Sequence, residues 1–219
     1  MSKKIAVIHT SLAIRESVNQ QILKVMPDAD IHNIIDERIL QDVMDNQGIN
    51  TSIIKRMCLY TQAAEALGAD AILNACSSVG EAFDIARRLV SVPTVKIDEA
   101  MAEIAVESGT RIAVYGTVAT TLAPSQRLIA NTAGKKNKGV EVVPFLIDGA
   151  FQVLAEEKNT AKHNEMVLKR IHETQKDYDV IVLAQASMAI LLPYLKELGK
   201  PVLISLESGI ERLKQVLYD

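Results

Sequence analysis

Short apolar runs alternate along the chain with longer stretches whose apolar residues recur every three or four positions. The runs at 5–8, 30–35, 71–74, 94–97, 112–115, 141–144, 180–184 and 202–204 read as β-strands. The stretches at 15–26, 52–67, 80–89, 99–107, 121–131, 161–176, 188–198 and 207–217 read as amphipathic helices. Strands that alternate with helices predict parallel βαβ units with both sheet faces covered. The remaining segments, 11–15, 38–50 and 145–152, read as loops that would supply pocket residues. Asp148 and Phe151 fit either a pocket wall or an ordinary helix start.

The pattern repeats. "IAVIHTS" from Ile5 matches "IAVYGTV" from Ile112, "DAILNACSS" from Asp70 matches "DVIVLAQAS" from Asp179, and "VPTVKIDEA" from Val92 matches "KPVLISLES" from Lys200. The offsets are 107, 109 and 108 residues. Apolar strands look alike one at a time, but three pairs in one order at nearly one offset predict a duplication. The expected fold class is α/β, with two pseudo-symmetric lobes, each a parallel sheet flanked by helices, and a cleft between them. The first lobe takes residues 1–98 plus 206–219, and the second takes 99–205. The last helix is expected to pack back on the first lobe.

Composition narrows the function classes. Net charge is −3 and the longest basic run is "GKKNKG", which reads as a solvated loop, so nucleic acid is not an expected partner. No run of 18 apolar residues predicts a membrane span. The two lysines and short apolar run at the N-terminus imitate a signal peptide, but the run is one strand long and soon meets Arg15 and Glu16. Two cysteines, Cys58 and Cys76, fit neither a disulfide framework nor metal-ligand spacing, so a reduced, cytoplasmic protein without a metal site is expected.

Open α/β sheets bind ligands at the carboxyl ends of their strands. The residues there are small and polar: His9, Thr10 and Ser11; Asn74, Cys76, Ser77 and Ser78; Thr117, Thr120 and Thr121; Gln185 and Ser187. Hydroxyls and helix N-terminal N–H groups make a carboxylate cradle. Helix capping explains any single one of them equally well. Their recurrence at four equivalent strand ends favours a site. Cys58 fits a helix core position, and His32, His163 and His172 fit surface or half-buried structural roles. Glu81 and Asp84 suit the helix dipole, and Asp36 and Glu37 read as solvated loop charges.

"NACSS" at Asn74–Ser78, "GTVATT" at Gly116–Thr121 and the strand end at Leu183–Met188 resemble the aspartate/glutamate/hydantoin racemase superfamily. The resemblance covers nearly the whole chain. It implies a cofactor-independent isomerase, a racemase or epimerase, that moves a proton next to a carboxylate or carbonyl of a small acid such as an amino acid, hydantoin or hydroxy acid. It also implies a homodimer. In the family two cysteines, one per lobe, work on opposite faces of the substrate carbon. The first maps onto Cys76, with Asn74, Ser77 and Ser78 matching its neighbours. Thr10 and Ser11, and Thr117, Thr120 and Thr121, are the expected substrate ligands.

The second family cysteine lies in a pattern like L-G-C-x-x-M. Here the sequence is "LAQASM", with Gln185 at that position. The internal repeat places Gln185 opposite Cys76 independently of the family. A glutamine amide does not ionise, although it hydrogen-bonds a carboxylate or enolate oxygen. Two mechanisms remain. In one, Ser187 or His9 replaces the missing proton carrier. In the other, a single proton transfer suffices, as in a decarboxylase or lyase with one thiol. A binding protein that lost catalysis with its second cysteine is the alternative outside enzymology. Cys76 precedes a helix start, which predicts a lowered thiol pKa.

Overall fold

The computed structural model describes residues 2–219. Among the described residues, eight strands form two four-stranded sheets, and every pairing within them is parallel. The strands are β1 (Lys4–His9), β2 (Asp30–Ile35), β3 (Ala71–Asn74), β4 (Thr94–Lys96), β5 (Arg111–Gly116), β6 (Glu141–Leu146), β7 (Val180–Leu183) and β8 (Val202–Ile204). The first sheet has the order β2-β1-β3-β4 and the second the order β6-β5-β7-β8. The chain divides into two compact units, one running to Ala100 and completed by Leu206–Asp219, the other Met101–Ser205.

The helices are α1 (Arg15–Val25), α2 (Glu37–Asp45), α3 (Thr51–Ala66), α4 (Gly80–Ala86), α5 (Glu99–Ser108), α6 (Ala119–Lys135), α7 (Ala150–Ala155), α8 (Thr160–Thr174), α9 (Leu192–Leu195) and α10 (Ser205–Tyr218). Of these, α2 lies in a segment expected to be a loop, and α7 begins in another, where Asp148 and Phe151 also fitted a helix start. The single helix expected at 188–198 is instead a 3₁₀ turn (Ala186–Leu191), α9 and a second 3₁₀ turn (Lys196–Leu198). Pro193 explains the break, since it has no N–H to continue the ladder and fits only the first turn of α9.

In the first unit, Ile5, Val7 and Leu73 face α1 and α10, whose Val18, Ile22, Ile210 and Leu213 are fully buried against them. Ala6, Ile8 and Ile72 point to the other face and meet Ile39 of α2, Ile53 and Met57 of α3, and Phe83 of α4. Alternation along β1 and β3 thus feeds two cores, as a sheet covered on both sides requires. Each fully buried Ile or Met stabilises the fold by about 1.5–3 kcal/mol. Gly209 of α10 lies so close to the main chain of Ile97 that a Cβ there would overlap the Ile97 carbonyl. Residues 206–219 are therefore part of the first unit's core.

The second unit repeats the plan. Ile112, Val114, Val180 and Val182 pack on α5 and α6 through Met101, Val106 and Ile129. Ala113, Tyr115, Ile181 and Leu183 pack on α8 and α9 through Val167, Ile171 and Leu195. The duplication extends to a polar detail. Asp70 accepts the Lys4 N–H at 2.7 Å, and its counterpart Asp179 accepts the Arg111 N–H at 2.8 Å. In each unit a carboxylate at the start of the third strand caps the start of the first.

Candidate functional site

The first unit brings the carboxyl ends of β1, β3 and β4 together, because β3 pairs with both neighbours and carries Asn74 beside Ile8 and Lys96. His9, Thr10, Asn74 and Ser78 are all buried, at 4% exposure or less. Cys76 is half-buried and extended, at φ −137° and ψ 116°, directly before the 3₁₀ turn Ser77–Val79 that leads into α4. The Asn74 side-chain N–H donates to the Cys76 carbonyl at 2.9 Å and so fixes this turn.

Burial pushes the Cys76 thiol up. The Thr10 hydroxyl, the N–H groups of Ser78 and Val79, and the Ser78 hydroxyl pull the other way, and burial wins. The lowered thiol pKa expected from the sequence is therefore corrected. The donors at the turn are present, but desolvation of a thiolate outweighs them. Cys76 rests as a thiol with its thiolate cradle already built.

His9 holds the end of β1. Its Nε2 lies 2.8 Å from Asn33 Oδ1, and its buried Nδ1 has no partner. Because the amide oxygen only accepts, Nε2 carries the proton and Nδ1 offers a lone pair. Burial lowers the His9 pKa, the Asn33 bond raises it, and nearby Arg15 lowers it, with a net decrease. His9 is neutral at pH 7. Ser11 accepts the Ala13 N–H at 3.2 Å and acts as a helix cap.

A second polar group at these strand ends was missed in the sequence. Asp98 follows β4 and is 3% exposed. Burial raises its pKa, against the ionising influence of the Ser77 hydroxyl and the Lys96 charge. Lys96 itself is buried and its Nζ donates to Asp84 at 2.8 Å. The repeat aligns Asp98 with Leu206, so a polar residue unique to one copy was the available signal. Asp84, read as a helix-dipole residue, is the partner of this lysine.

Asp36, read as a solvated loop charge, caps α2 and is tied to Arg56 at 3.0 Å and to the Tyr60 hydroxyl at 2.6 Å. Its role is to join α2 to α3. His163, expected at the surface or half-buried, is in fact 1% exposed on α8, where the inner face of the helix takes it in.

In the second unit the carboxyl ends of β5 and β7 carry Thr117 and Gln185. The Gln185 side-chain oxygen accepts the Thr117 N–H at 2.5 Å and the Thr117 hydroxyl at 2.9 Å. Both bonds use the oxygen, and the Gln185 amide N–H groups take no part in them. Gly116, beside this pair, lets Leu122 pack close. A Cβ there would sit 3.0 Å from Leu122 and 3.5 Å from the Gln185 oxygen. Thr120 has a buried hydroxyl with no partner. Thr121 is half-buried in the first turn of α6 and Ser187 is exposed on the 3₁₀ turn after Gln185.

Among the described residues, no three His, Cys, Asp or Glu side chains gather in a way that could hold a metal ion. No described helix is long and apolar enough to cross a membrane.

The fold recurs in solved structures. An allantoin racemase from Klebsiella pneumoniae is 22% identical, with a TM-score of 0.72 over 99% of this chain and 88% of its own. A glutamate racemase from Aquifex pyrophilus is 21% identical, with a TM-score of 0.69 over 97% of this chain and 83% of its own. An arylmalonate decarboxylase variant is 14% identical, with a TM-score of 0.63 over 98% of this chain and 93% of its own. At these identities the likeness is one of fold. No curated protein matches the sequence. The Asp/Glu/Hydantoin racemase family pattern, however, matches residues 5–213, and with its duplicated parallel sheets and its Asn74–Ser78 strand end the chain belongs to that family.

Proposed function

We propose that the protein is a cofactor-independent isomerase, a racemase or epimerase, that moves a proton on the carbon next to the carboxylate or carbonyl of a small acid. Cys76 is the proposed acid–base thiol. The observation that carries this reading is its place at a buried strand end, directly before a 3₁₀ turn that leads into α4, where the Thr10 and Ser78 hydroxyls and the N–H groups of Ser78 and Val79 favour the thiolate. Such donors have no use for a neutral thiol and stabilise a thiolate as it forms. Thr10, Asn74, Ser77 and Ser78, with Thr117, Thr120 and Thr121 of the second unit, are the proposed substrate ligands. The racemase names of the fold neighbours support a small acid or hydantoin-like substrate.

A second reading is a decarboxylase or lyase that uses one thiol. It draws support from Gln185, whose oxygen is held by Thr117 and whose amide presents only donors. A fixed donor at the second cysteine position binds a carboxylate or steadies an enolate, and it carries no proton to carbon. Ser187 is exposed and His9 is neutral with a lowered pKa, so neither is a strong substitute base.

The test is proton exchange in heavy water. Candidate amino acids, hydantoins, malonates and hydroxy acids are incubated with the protein and the label at the α-carbon is followed by NMR. Label with loss of optical activity supports the isomerase, and label with carbon dioxide release supports the decarboxylase. Tight binding without exchange would instead identify a binding protein. Full activity in Cys76→Ser would remove the assignment of the thiol.

A further inference from the structure

Three side-chain atoms at the strand ends of the first unit are buried and have no hydrogen-bond partner: His9 Nδ1, Asn74 Oδ1 and Asp98 Oδ1. Buried polar atoms are nearly always satisfied, so each orphan calls for a reason. Asp98 is the most demanding of the three. A carboxyl at 3% exposure is costly unless it is paired, and the adjacent cation is committed elsewhere, since Lys96 Nζ is 2.8 Å from Asp84. The backbone holds Asp98 firmly. Ile97 N–H donates to the Asn74 carbonyl at 3.0 Å, and the close approach of Gly209 clamps the same residue from α10. The Ser77 hydroxyl, on the residue directly after Cys76, favours the ionised form of Asp98.

We propose that Asp98 is a second acid–base residue of the same site, whose free Oδ1 engages a carboxylate or carbonyl oxygen of the substrate while Cys76 works at the carbon. This rests on the proton-transfer reading above. Removing an α-proton pushes an electron pair onto the neighbouring oxygen. If that oxygen already belongs to a carboxylate, the product is a dianion. A neutral buried acid relieves this by giving its proton to the oxygen as charge builds there. Once Cys76 has released its own proton to solvent and is a thiolate, the C–H bond breaks, the S–H bond forms on Cys76, the pair moves to oxygen, and the Asp98 proton follows it. The return step reverses each transfer, so both side chains end as they began. Burial of Asp98 supports this role, because it keeps the carboxyl protonated to a higher pH than an ordinary aspartate.

The charged groups around Asp98 are Lys96 at the end of β4 and Glu99 on α5, and these are held in turn by Asp84 and by Arg87. His9 and Cys76 are the other titratable groups at these strand ends. The proposal is tested with malonate as the carboxylate probe. Its dissociation constant is measured by calorimetry from pH 5 to pH 8 in the wild type, in Asp98→Asn and in Ser77→Ala. Comparing variants at each pH cancels the titration of malonate itself.

The wild type is expected to bind about tenfold more tightly at the acid end, relative to Asp98→Asn, than at the alkaline end. Ser77→Ala, which leaves the Asp98 carboxyl in place, is expected to keep that pH dependence and move its midpoint upward. The same wild-type and Asp98→Asn proteins are compared by α-carbon exchange, where loss of the acid is expected to cost about a hundredfold. Identical pH dependence and exchange rates in wild type and Asp98→Asn would overturn the role of Asp98. If Cys76→Ser is inactive in the same assay, the proton-transfer reading stands without it. Absence of both malonate binding and exchange in the wild type would overturn the reading and the proposal together.

Discussion

The Gln185 side-chain oxygen is fixed by Thr117 twice, through the main-chain N–H at 2.5 Å and the hydroxyl at 2.9 Å. The amide is thereby oriented, and its two N–H donors are the part left for a ligand. Gln185→Glu keeps both acceptor bonds and replaces those donors with a carboxylate edge. A carboxylate ligand such as malonate is expected to bind at least tenfold more weakly to this variant, from loss of a charge-assisted bond worth about 1.5–3 kcal/mol. A calorimetric titration against the wild type at one pH measures it.

Cys76 should titrate as a buried thiol. Its alkylation by iodoacetamide is expected to rise with pH about a midpoint above ~8.5, the value of a free cysteine. Thr10→Val and Ser78→Ala each remove a donor to the thiolate and are expected to move the midpoint higher still. A midpoint near neutrality in the wild type would mean that the donors outweigh burial. Turnover is expected to follow the same rise with pH, and Cys76→Ser to lower it by about 10²–10⁴.

Asp98 gives the fold a pH-dependent weakness of definite sign. Its folded pKa is raised, so the favourable contribution of the neutral carboxyl is complete below ~3.9, the pKa of an unfolded aspartate. It is lost as pH rises from there through the folded value, because the unfolded chain releases the proton first. Asp98→Asn has no proton to release. It is expected to be more stable than the wild type at pH 7 and equal to it near pH 3, as read from urea unfolding midpoints at the two pH values. A variant that gains stability while losing function is the pattern of a residue kept for its chemistry.

Gly209→Ala places a methyl group against the Ile97 carbonyl, which is main chain and has nowhere to go. Destabilisation of about 1–3 kcal/mol is expected from overpacking. Gly134→Ala, where nothing lies within 4 Å of the added carbon and the backbone is helical, serves as the control and should match the wild type or exceed it slightly. Thermal unfolding of the two variants provides the comparison.

Much of the fold was readable because its strands are almost uninterrupted apolar runs. β2, β3 and β8 begin and end where the runs do. The helices that escaped notice are short. α2 spans nine residues and fully buries only Ile39 and Val43, one turn apart, so its apolar stripe lasts barely two turns. Cys76 and Gln185 were found through the repeat, since two copies of one strand end draw attention to what differs between them. Asp98 was passed over in "VKIDEA" because an acid at a strand-to-helix junction looks like an ordinary first-turn residue. Its burial depends on the fold around the end of β4, where α10 closes on the preceding Ile97 through Gly209, and the chain does not announce that contact locally. The same is true of the Cys76 thiol. Its donors were legible from the turn that follows it, while the desolvation that outweighs them depends on the packing around β3.

The close fit of Gly209 on Ile97 also bears on how the molecule is made. All of Met101–Ser205 is contiguous, whereas the neighbouring unit needs Ile210, Leu213 and Leu217 to finish the core that includes Ile5 and Val18. On the ribosome, where segments tend to fold in the order they emerge, the first unit cannot close when its own strands appear. Its β1, β3 and β4 must wait, with one sheet face covered only in part, by α1, until more than a hundred later residues have been synthesised. The half of the protein that carries Cys76 and Asp98 is thus started first and completed last.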